Sequence, residues 1–222
     1  MKYLRVIIDI VVWFCIGVLL VGIPTLLFHT KPKEKVVPVR ISPIVRLVKD
    51  GKTFCSGVVI RRDLVLTALH CVSSPVMFSA PVLDADAIEI RGVDNKPLNA
   101  FGHVVNAREQ LDQAIIQGNF ESFQPMKVTM TVSDLLTYQK KGEHFMACGY
   151  PLGGGLFCQN VFFDSNKEFM WAMHGVILPG MSGGPVVAQD GSVVATNDAV
   201  EGELSIVAPV WNIDGMYPEA KK

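Results

Sequence analysis

Hydrophobic and polar positions follow two different patterns along the chain. Residues 10–28 form one apolar run whose only polar side chain is Thr25, whereas the rest of the chain alternates short apolar runs with turn residues. As a helix, with about 1.5 Å per residue, the long run would span about 28 Å, close to the hydrocarbon thickness of a bilayer. The pattern therefore predicts one N-terminal transmembrane helix, an anchor within residues 1–29.

The anchor has an alternative interpretation as a cleaved secretory signal. Lys2 and Arg5 would supply its basic end, but the apolar stretch exceeds the usual length and no A-x-A cleavage site follows. The next segment, residues 30–42, is rich in Lys and Pro, which is typical of an extended stalk. We therefore expect an uncleaved anchor, a stalk and a body.

The body has the pattern of an all-β protein. Turn dipeptides such as Asp50-Gly51 and Asp190-Gly191 separate its runs, and many short strands of this kind favour a barrel or a sandwich. Only residues 133–140 look weakly helical. The predicted strands lie within residues 44–48, 53–60, 64–67, 87–90, 102–105, 114–116, 144–149, 161–163, 169–174, 185–188, 192–196 and 205–210.

The composition narrows the classes of function. The 222 residues are 50% hydrophobic and 18% charged, with a formal net charge of −1. This excludes a disordered chain and leaves no whole-chain argument for nucleic-acid binding. The 5 histidines show no spacing typical of a metal site, so we expect neither a metal nor another cofactor.

A serine between glycines is the candidate nucleophile. Residues 180–185 read Gly-Met-Ser-Gly-Gly-Pro. A serine hydroxyl needs a base that removes its proton and donors for the oxyanion that forms on attack. The flanking glycines let the N–H groups of Gly180 and Ser182 point into one small volume. The alternative is a plain turn between two strands.

His70 is the candidate base. A lone histidine at the end of an apolar strand is usually structural or exposed, but Cys55 and Cys71 could hold the turn that presents this one. The acid that orients it must be buried beside it. Asp112 precedes a fully apolar strand and suits a buried position, so we prefer it. Asp84 and Asp86 are the rivals, but the strand that follows them carries a charged residue.

Two cysteine pairs indicate on which side of the membrane the body lies. A bridge between Cys55 and Cys71 would pin the loop that carries the histidine, and Cys148 and Cys158 could clip the ends of another loop. Free buried thiols are the alternative for both pairs. If the first pair is oxidised, the body lies outside the cytoplasm. The basic residues that follow the anchor favour the opposite orientation, but we expect the body to lie outside the cytoplasm.

Taken together, these segments resemble the chymotrypsin/trypsin-like serine peptidases. Residues 67–71 are similar to the family's Thr-Ala-x-His-Cys motif, residues 112–116 to its Asp-x-Ala-Leu-Leu strand, and residues 180–185 to its Gly-Asp-Ser-Gly-Gly-Pro. Beyond the serine, the chain more closely resembles the bacterial heat-shock-type (high-temperature-requirement) subgroup, and small viral and phage proteases look similar. That subgroup's strand ends Asn-Thr-Ala, where residues 197–199 are Asn-Asp-Ala.

The resemblance implies an architecture and an activity. We expect a trypsin-like pair of antiparallel β-barrels, each six-stranded, over residues 43–125 and 126–222, with no PDZ domain. The implied function is a membrane-anchored serine endopeptidase with a polypeptide substrate and a triad of Ser182, His70 and Asp112. A membrane-tethered binding module that keeps this fold with little turnover is the alternative.

The resemblance also implies a substrate pocket. No acid stands at its expected base, so cleavage after Lys or Arg is disfavoured and apolar P1 side chains are expected. Asp198 and Glu201 are nearby charges whose effect stays open, and we interpret His174 as a strand residue. Met181 replaces the Asp that pairs with a freed N-terminus in pancreatic-type enzymes, so we expect activity without that cleavage. The implied pocket residues are Val176, Ile177, Ala195, Thr196 and Asn197.

Overall fold

A computed structural model of the chain describes residues 42–74, 82–83, 87–128 and 144–210. The predicted anchor, nearly all of the stalk and the weakly helical segment 133–140 lie outside these residues, as do Asp84 and Asp86. Within the described part, no helix has the length and apolarity that crossing a membrane requires.

The first half of the body is a closed antiparallel barrel with the strand order β1-β2-β3-β8-β7-β6. A short pair, β4 and β5, stands beside it as a separate two-stranded sheet. The strands are β1 (Ile44–Lys49), β2 (Lys52–Arg61), β3 (Leu64–Ala68), β4 (Ser73–Ser74), β5 (Val82–Leu83), β6 (Ile88–Arg91), β7 (Pro97–Arg108) and β8 (Gln113–Gly118).

The second half is another closed antiparallel barrel, with the order β10-β11-β14-β13-β12-β9. The prediction of two six-stranded antiparallel barrels is therefore confirmed. The strands are β9 (His144–Gly149), β10 (Phe157–Lys167), β11 (Met170–His174), β12 (Pro185–Val187), β13 (Val193–Glu201) and β14 (Leu204–Pro209).

Strand β3 explains why some of these strands are apolar on both faces. Successive side chains of a strand point to opposite faces. Val65 packs in the interior of the first barrel, whereas Leu64 and Leu66 pack with Val193 and Val210 of the second half. One face of β3 therefore fills its own barrel and the other joins the two barrels, so no polar alternation is present.

The segment after the first barrel runs along both barrels. The Met126 N–H donates a hydrogen bond to the Val59 carbonyl at 2.8 Å, and the Val193 N–H donates to the Lys127 carbonyl at 2.9 Å. The seam between the two barrels is thus lined by backbone hydrogen bonds as well as by apolar side chains.

Candidate active site

The pairing of β3 with β8 brings His70 and Asp112 to the same edge of the first barrel. Ala68 pairs with Gln113, so the residues just after β3 and just before β8 are neighbours. His70 lies in a 3₁₀ turn, Leu69–Cys71, and Asp112 ends another. Asp112 adopts a left-handed conformation, with φ 45°, which Asp tolerates better than most residues.

Asp112 holds the histidine turn at three points. Its Oδ2 lies 2.5 Å from His70 Nδ1, its Oδ1 accepts the His70 backbone N–H at 2.9 Å, and its carbonyl accepts the Leu69 N–H at 2.8 Å. The carboxylate therefore favours the tautomer with a proton on Nδ1, which leaves Nε2 able to take a proton from a nucleophile.

A second carboxylate stands beside the same ring nitrogen. Asp198 Oδ1 of β13 lies 3.4 Å from His70 Nδ1. The hydrogen bond with Asp112, and then that with Asp198, raise the pKa of His70 to about 10. Burial raises the pKa of Asp198 to about 6, and the charge of Asp112 adds to this. Burial opposes ionisation of Asp112 too, but its hydrogen bonds outweigh burial and lower its pKa.

His70, Asp112 and Asp198 also offer three ligand atoms that lie within 4.8 Å of one another, which is close enough for a metal ion. Hydrogen bonding between the imidazole and the carboxylates already accounts for this proximity. The three side chains therefore form a proton-handling group.

Residues 180–185, which carry the candidate nucleophile Ser182, form the nucleophile segment. This segment requires glycine where it meets the first barrel. Gly180 and Gly183 have φ of 93° and 78°, a region that side chains other than glycine rarely adopt. A Cβ on Gly183 would lie 2.7 Å from the Ala68 nitrogen and would collide with the Thr67 hydroxyl. The backbone of the second barrel thus approaches the end of β3 closely.

Ser56 of β2 ties the nucleophile segment to the first barrel. Its N–H donates to the Ser182 carbonyl at 2.9 Å, and its hydroxyl donates to the Gly180 carbonyl at 2.7 Å. The same hydroxyl accepts the buried Tyr150 N–H at 2.9 Å. One buried side chain therefore joins β2, the loop after β9 and the segment around Ser182.

The peptide planes that carry the predicted oxyanion donors are both held. The Leu152 N–H donates to the Pro179 carbonyl at 2.7 Å, which fixes the plane containing the Gly180 N–H. Met181 O accepts the Gly184 N–H at 2.9 Å, which fixes the plane containing the Ser182 N–H.

No hydrogen bond between described residues uses the N–H of Gly180 or of Ser182. Both groups therefore remain able to donate to a negatively charged oxygen.

The Ser182 hydroxyl donates to the Asp198 carbonyl at 3.1 Å. Among the described residues, no hydrogen bond joins this hydroxyl to His70. The structure thus brings His70 and Asp112 into contact and holds Ser182 through β13 instead.

Both cysteine pairs form disulfide bonds. Cys55–Cys71 joins β2 to the turn that carries His70, with a Cα–Cα distance of 6.1 Å. Cys148–Cys158 joins opposite residues of β9 and β10, with a Cα–Cα distance of 4.2 Å. The first bridge limits movement of the histidine turn, and the second closes the loop that carries Leu152.

The residues predicted to line the pocket differ in exposure. Val176 is 56% exposed, whereas Ile177 is 4% exposed and packs in the second barrel. The other three, Ala195, Thr196 and Asn197, are fully buried and form the interior behind the site. The more exposed part of β13 begins at the next residue, Asp198.

Asn197 donates from its side-chain amide to the carbonyls of Cys148 and Met181, at 2.8 and 3.3 Å. Its function is therefore to hold the nucleophile segment from behind. His174, interpreted above as a strand residue, ends β11 and pairs with Asp164 at 3.0 Å.

The comparisons with known proteins agree with this architecture. A family model described as a trypsin-like peptidase domain matches residues 55–195, which is more than half of the chain. The comparison with curated proteins finds no match.

Similar solved structures show the same fold at low sequence identity. They include the protease domain of MamO from Magnetospirillum magneticum, with 17% identity, a TM-score of 0.58, and coverage of 78% of this chain and 94% of that one. The active form of the Rv3671c protease from M. tuberculosis has 18% identity, a TM-score of 0.56, and coverage of 78% and 77%. A serine endoprotease from Yersinia pestis has 16% identity, a TM-score of 0.56, and coverage of 77% and 60%.

Proposed function

Since the chain belongs to the family of trypsin-like peptidases and is a serine endopeptidase, we propose that it cleaves polypeptides through Ser182, His70 and Asp112. The observation that carries this proposal is that Asp112 accepts hydrogen bonds from both the ring and the backbone of His70. In an acyl-transfer triad, the acid orients the histidine through such contacts.

The proposed reaction has two halves. The Ser182 hydroxyl leaves the Asp198 carbonyl and attacks the scissile carbonyl while its proton passes to His70 Nε2. The N–H groups of Gly180 and Ser182 stabilise the oxyanion, and the imidazolium then gives its proton to the leaving amine. Water, with His70 again as the base, hydrolyses the ester and restores the serine.

His70 can accept the serine proton only when the imidazole is neutral. Because its pKa is raised to about 10, the rate should increase with pH through the alkaline range until this group has lost its proton. A pH profile of acylation would test this expectation, and a rate that is constant from pH 6 to 10 would contradict it.

The substrate preference belongs to the same proposal. We infer an apolar P1 side chain, since the exposed wall residue Val176 is apolar and the segment before Ser182 carries no acid. A peptide library with all P1 residues tests this, and preferential cleavage after Lys or Arg would contradict it.

Membrane attachment is a further part of the proposal. The uncharged run at residues 10–28 would cross the bilayer as one helix, and the two disulfides favour an extracytoplasmic location for the body. Extraction from membranes and protease protection in sealed vesicles would test the anchor and the orientation separately.

One observation favours the second candidate, a tethered binding module with little turnover. The Ser182 hydroxyl bonds to Asp198 rather than to His70. A fluorophosphonate, which reacts only with an activated serine, distinguishes the two candidates.

We expect the full-length chain to be labelled without prior proteolysis, since Met181 is buried where pancreatic-type enzymes carry the Asp that binds a freed N-terminus. Ser182→Ala should abolish labelling, and Ser192→Ala is the matched control because its hydroxyl serves only a turn, by bonding to Asp190. Absence of labelling in the wild-type chain at every pH would favour the binding module.

A further inference from the structure

Asp198 lies at an irregular point of β13. In the pairing of β13 with β14, Asn197 faces Val207 and Ala199 faces Ile206, so Asp198 is the extra residue between two paired positions. A bulge of this kind turns a side chain away from the regular alternation of a strand. Here it directs the Asp198 carboxylate toward the first barrel, where His70 lies.

Asp198 contacts two members of the proposed triad through different atoms. Its backbone carbonyl accepts the Ser182 hydroxyl at 3.1 Å, and its Oδ1 lies 3.4 Å from His70 Nδ1. Its side chain is 16% exposed, against 46% for that of His70. The carboxylate is therefore held in a largely buried position against the ring, rather than extended into solvent.

Three titratable side chains form this cluster. His70 and Asp112 approach from the first barrel, and Asp198 approaches from β13. Among the described residues, the charges that raise the pKa of His70 most are those of Asp112 and Asp198. Two carboxylates around one imidazole stabilise its protonated form more than one does. The raised pKa of His70 agrees with this geometry.

We propose that Asp198 is a second positioning carboxylate of the active site, which stabilises the His70 imidazolium together with Asp112 and moves the onset of acylation to higher pH. The subgroup that this chain resembles has Thr at the same place in its Asn-Thr-Ala strand end. A threonine hydroxyl could accept or donate a hydrogen bond there, but it would add no negative charge. This proposal rests on the proposed function, because it assigns a role within that reaction.

The test compares Asp198→Asn and Asp198→Thr with the wild-type full-length chain in detergent micelles. The first variant keeps the shape of the side chain without its charge, and the second restores the pattern of the subgroup. We expect the midpoint of the pH profile for fluorophosphonate labelling to fall by about 1–3 pH units in both variants, the range that removal of one neighbouring charge produces. Asp164→Asn is the matched control, since it removes an Asp–His pair of the second barrel with a 3.0 Å contact.

A second readout does not depend on turnover. The ring protons of His70 can be followed by NMR across the same pH range, with His70→Gln identifying the signal. We expect the His70 midpoint to fall in both Asp198 variants and to stay unchanged in Asp164→Asn. An unchanged His70 midpoint in both folded variants, checked by circular dichroism, would overturn the proposal.

The two readouts separate failure of this inference from failure of the proposed function. If the wild-type chain is never labelled but the His70 midpoint falls on substitution of Asp198, the carboxylate acts on the imidazole as argued while the assignment of acylation is wrong. If labelling occurs and neither midpoint moves, the endopeptidase remains and the role of Asp198 is wrong.

Discussion

Replacement of Ser56 by Ala should weaken both the fold and the active site. The Ser56 hydroxyl is buried, donates to the Gly180 carbonyl at 2.7 Å and accepts the Tyr150 N–H at 2.9 Å. In Ser56→Ala the cavity is small, but the N–H of the fully buried Tyr150 loses its partner. A buried donor without a partner costs about 1–3 kcal/mol. Gly180 is only half-buried, so we expect the loss at its carbonyl to be the smaller of the two.

The expected total is a decrease of about 2–3 kcal/mol in the free energy of unfolding. Urea unfolding measures it, and the m-value should stay unchanged because the exposed surface is the same. Ser205→Ala is the matched control. The Ser205 hydroxyl also donates to a carbonyl, that of Gly175 at 2.8 Å, and accepts an N–H, that of Ile177 at 3.0 Å, but all three belong to the second barrel.

The catalytic effect follows from the position of the peptide between Gly180 and Met181. This peptide lies between the two planes that carry the oxyanion donors, and in Ser56→Ala it keeps only the hydrogen bond from the Met181 N–H to the Leu178 carbonyl at 3.0 Å. Both donor planes keep their own hydrogen bonds, so we expect the donors to shift slightly rather than to be lost. One oxyanion donor is worth about 100–1,000-fold in rate. We expect fluorophosphonate labelling of Ser56→Ala to slow by about 10-fold or more. A stability change below about 0.5 kcal/mol would refute the energetic reasoning. The expected stability loss with an unchanged labelling rate would refute the link to the oxyanion site.

Three further predictions use other parts of the structure. Replacement of Cys55 and Cys71 by Ser should lower the free energy of unfolding by about 3 kcal/mol, because the bridge no longer restricts the unfolded chain. In a urea titration of this variant, a reductant should have no further effect through this pair. Gly183→Ala should lower the free energy of unfolding by about 3 kcal/mol or more, because its Cβ would collide with neighbouring atoms. Gly191 has a similar φ but open space around it, so Gly191→Ala should cost only backbone strain of about 1–2 kcal/mol. Equal losses in the two variants would contradict the close packing at Gly183. The stabilisation that His70 provides should be complete below its ordinary pKa of 6.5 and should be lost as the pH rises through about 10. The difference in unfolding free energy between the wild type and His70→Ala measures it. A difference that grows with pH would contradict the predicted sign.

The sequence predicts the barrel strands well where many of their side chains are buried. The run at residues 144–149 coincides with β9, and the run at residues 64–67 matches β3 except for its last residue. The prediction fails in length for β10, which extends over Phe157–Lys167 although only residues 161–163 look like a strand. Most side chains of β10 are exposed or half-buried, so the hydrophobic pattern that marks a strand is weak there.

The features of the site also fall into two groups, those that the sequence predicts and those that it does not. The motifs around His70, Asp112 and Ser182 are local and can be read from the sequence. The ties through Ser56 and the contact of Asp198 join strands that are far apart in the chain, and the latter depends on a bulge that has no local signature. An acid between Asn and Ala was visible at residue 198, but the sequence contains nothing that shows which way it points.

The division of the site between two barrels has a consequence for the timing of proteolysis during synthesis. His70 and Asp112 belong to the half that leaves the ribosome first, and Ser182 to the half that leaves last. The nucleophile segment is held partly by the second barrel, but the carbonyls of Gly180 and Ser182 find their partner in Ser56 of the first. A nascent chain therefore has an oriented histidine but no serine to activate. On our proposal, the chain gains the ability to cut other proteins only once its own second barrel has closed against the first.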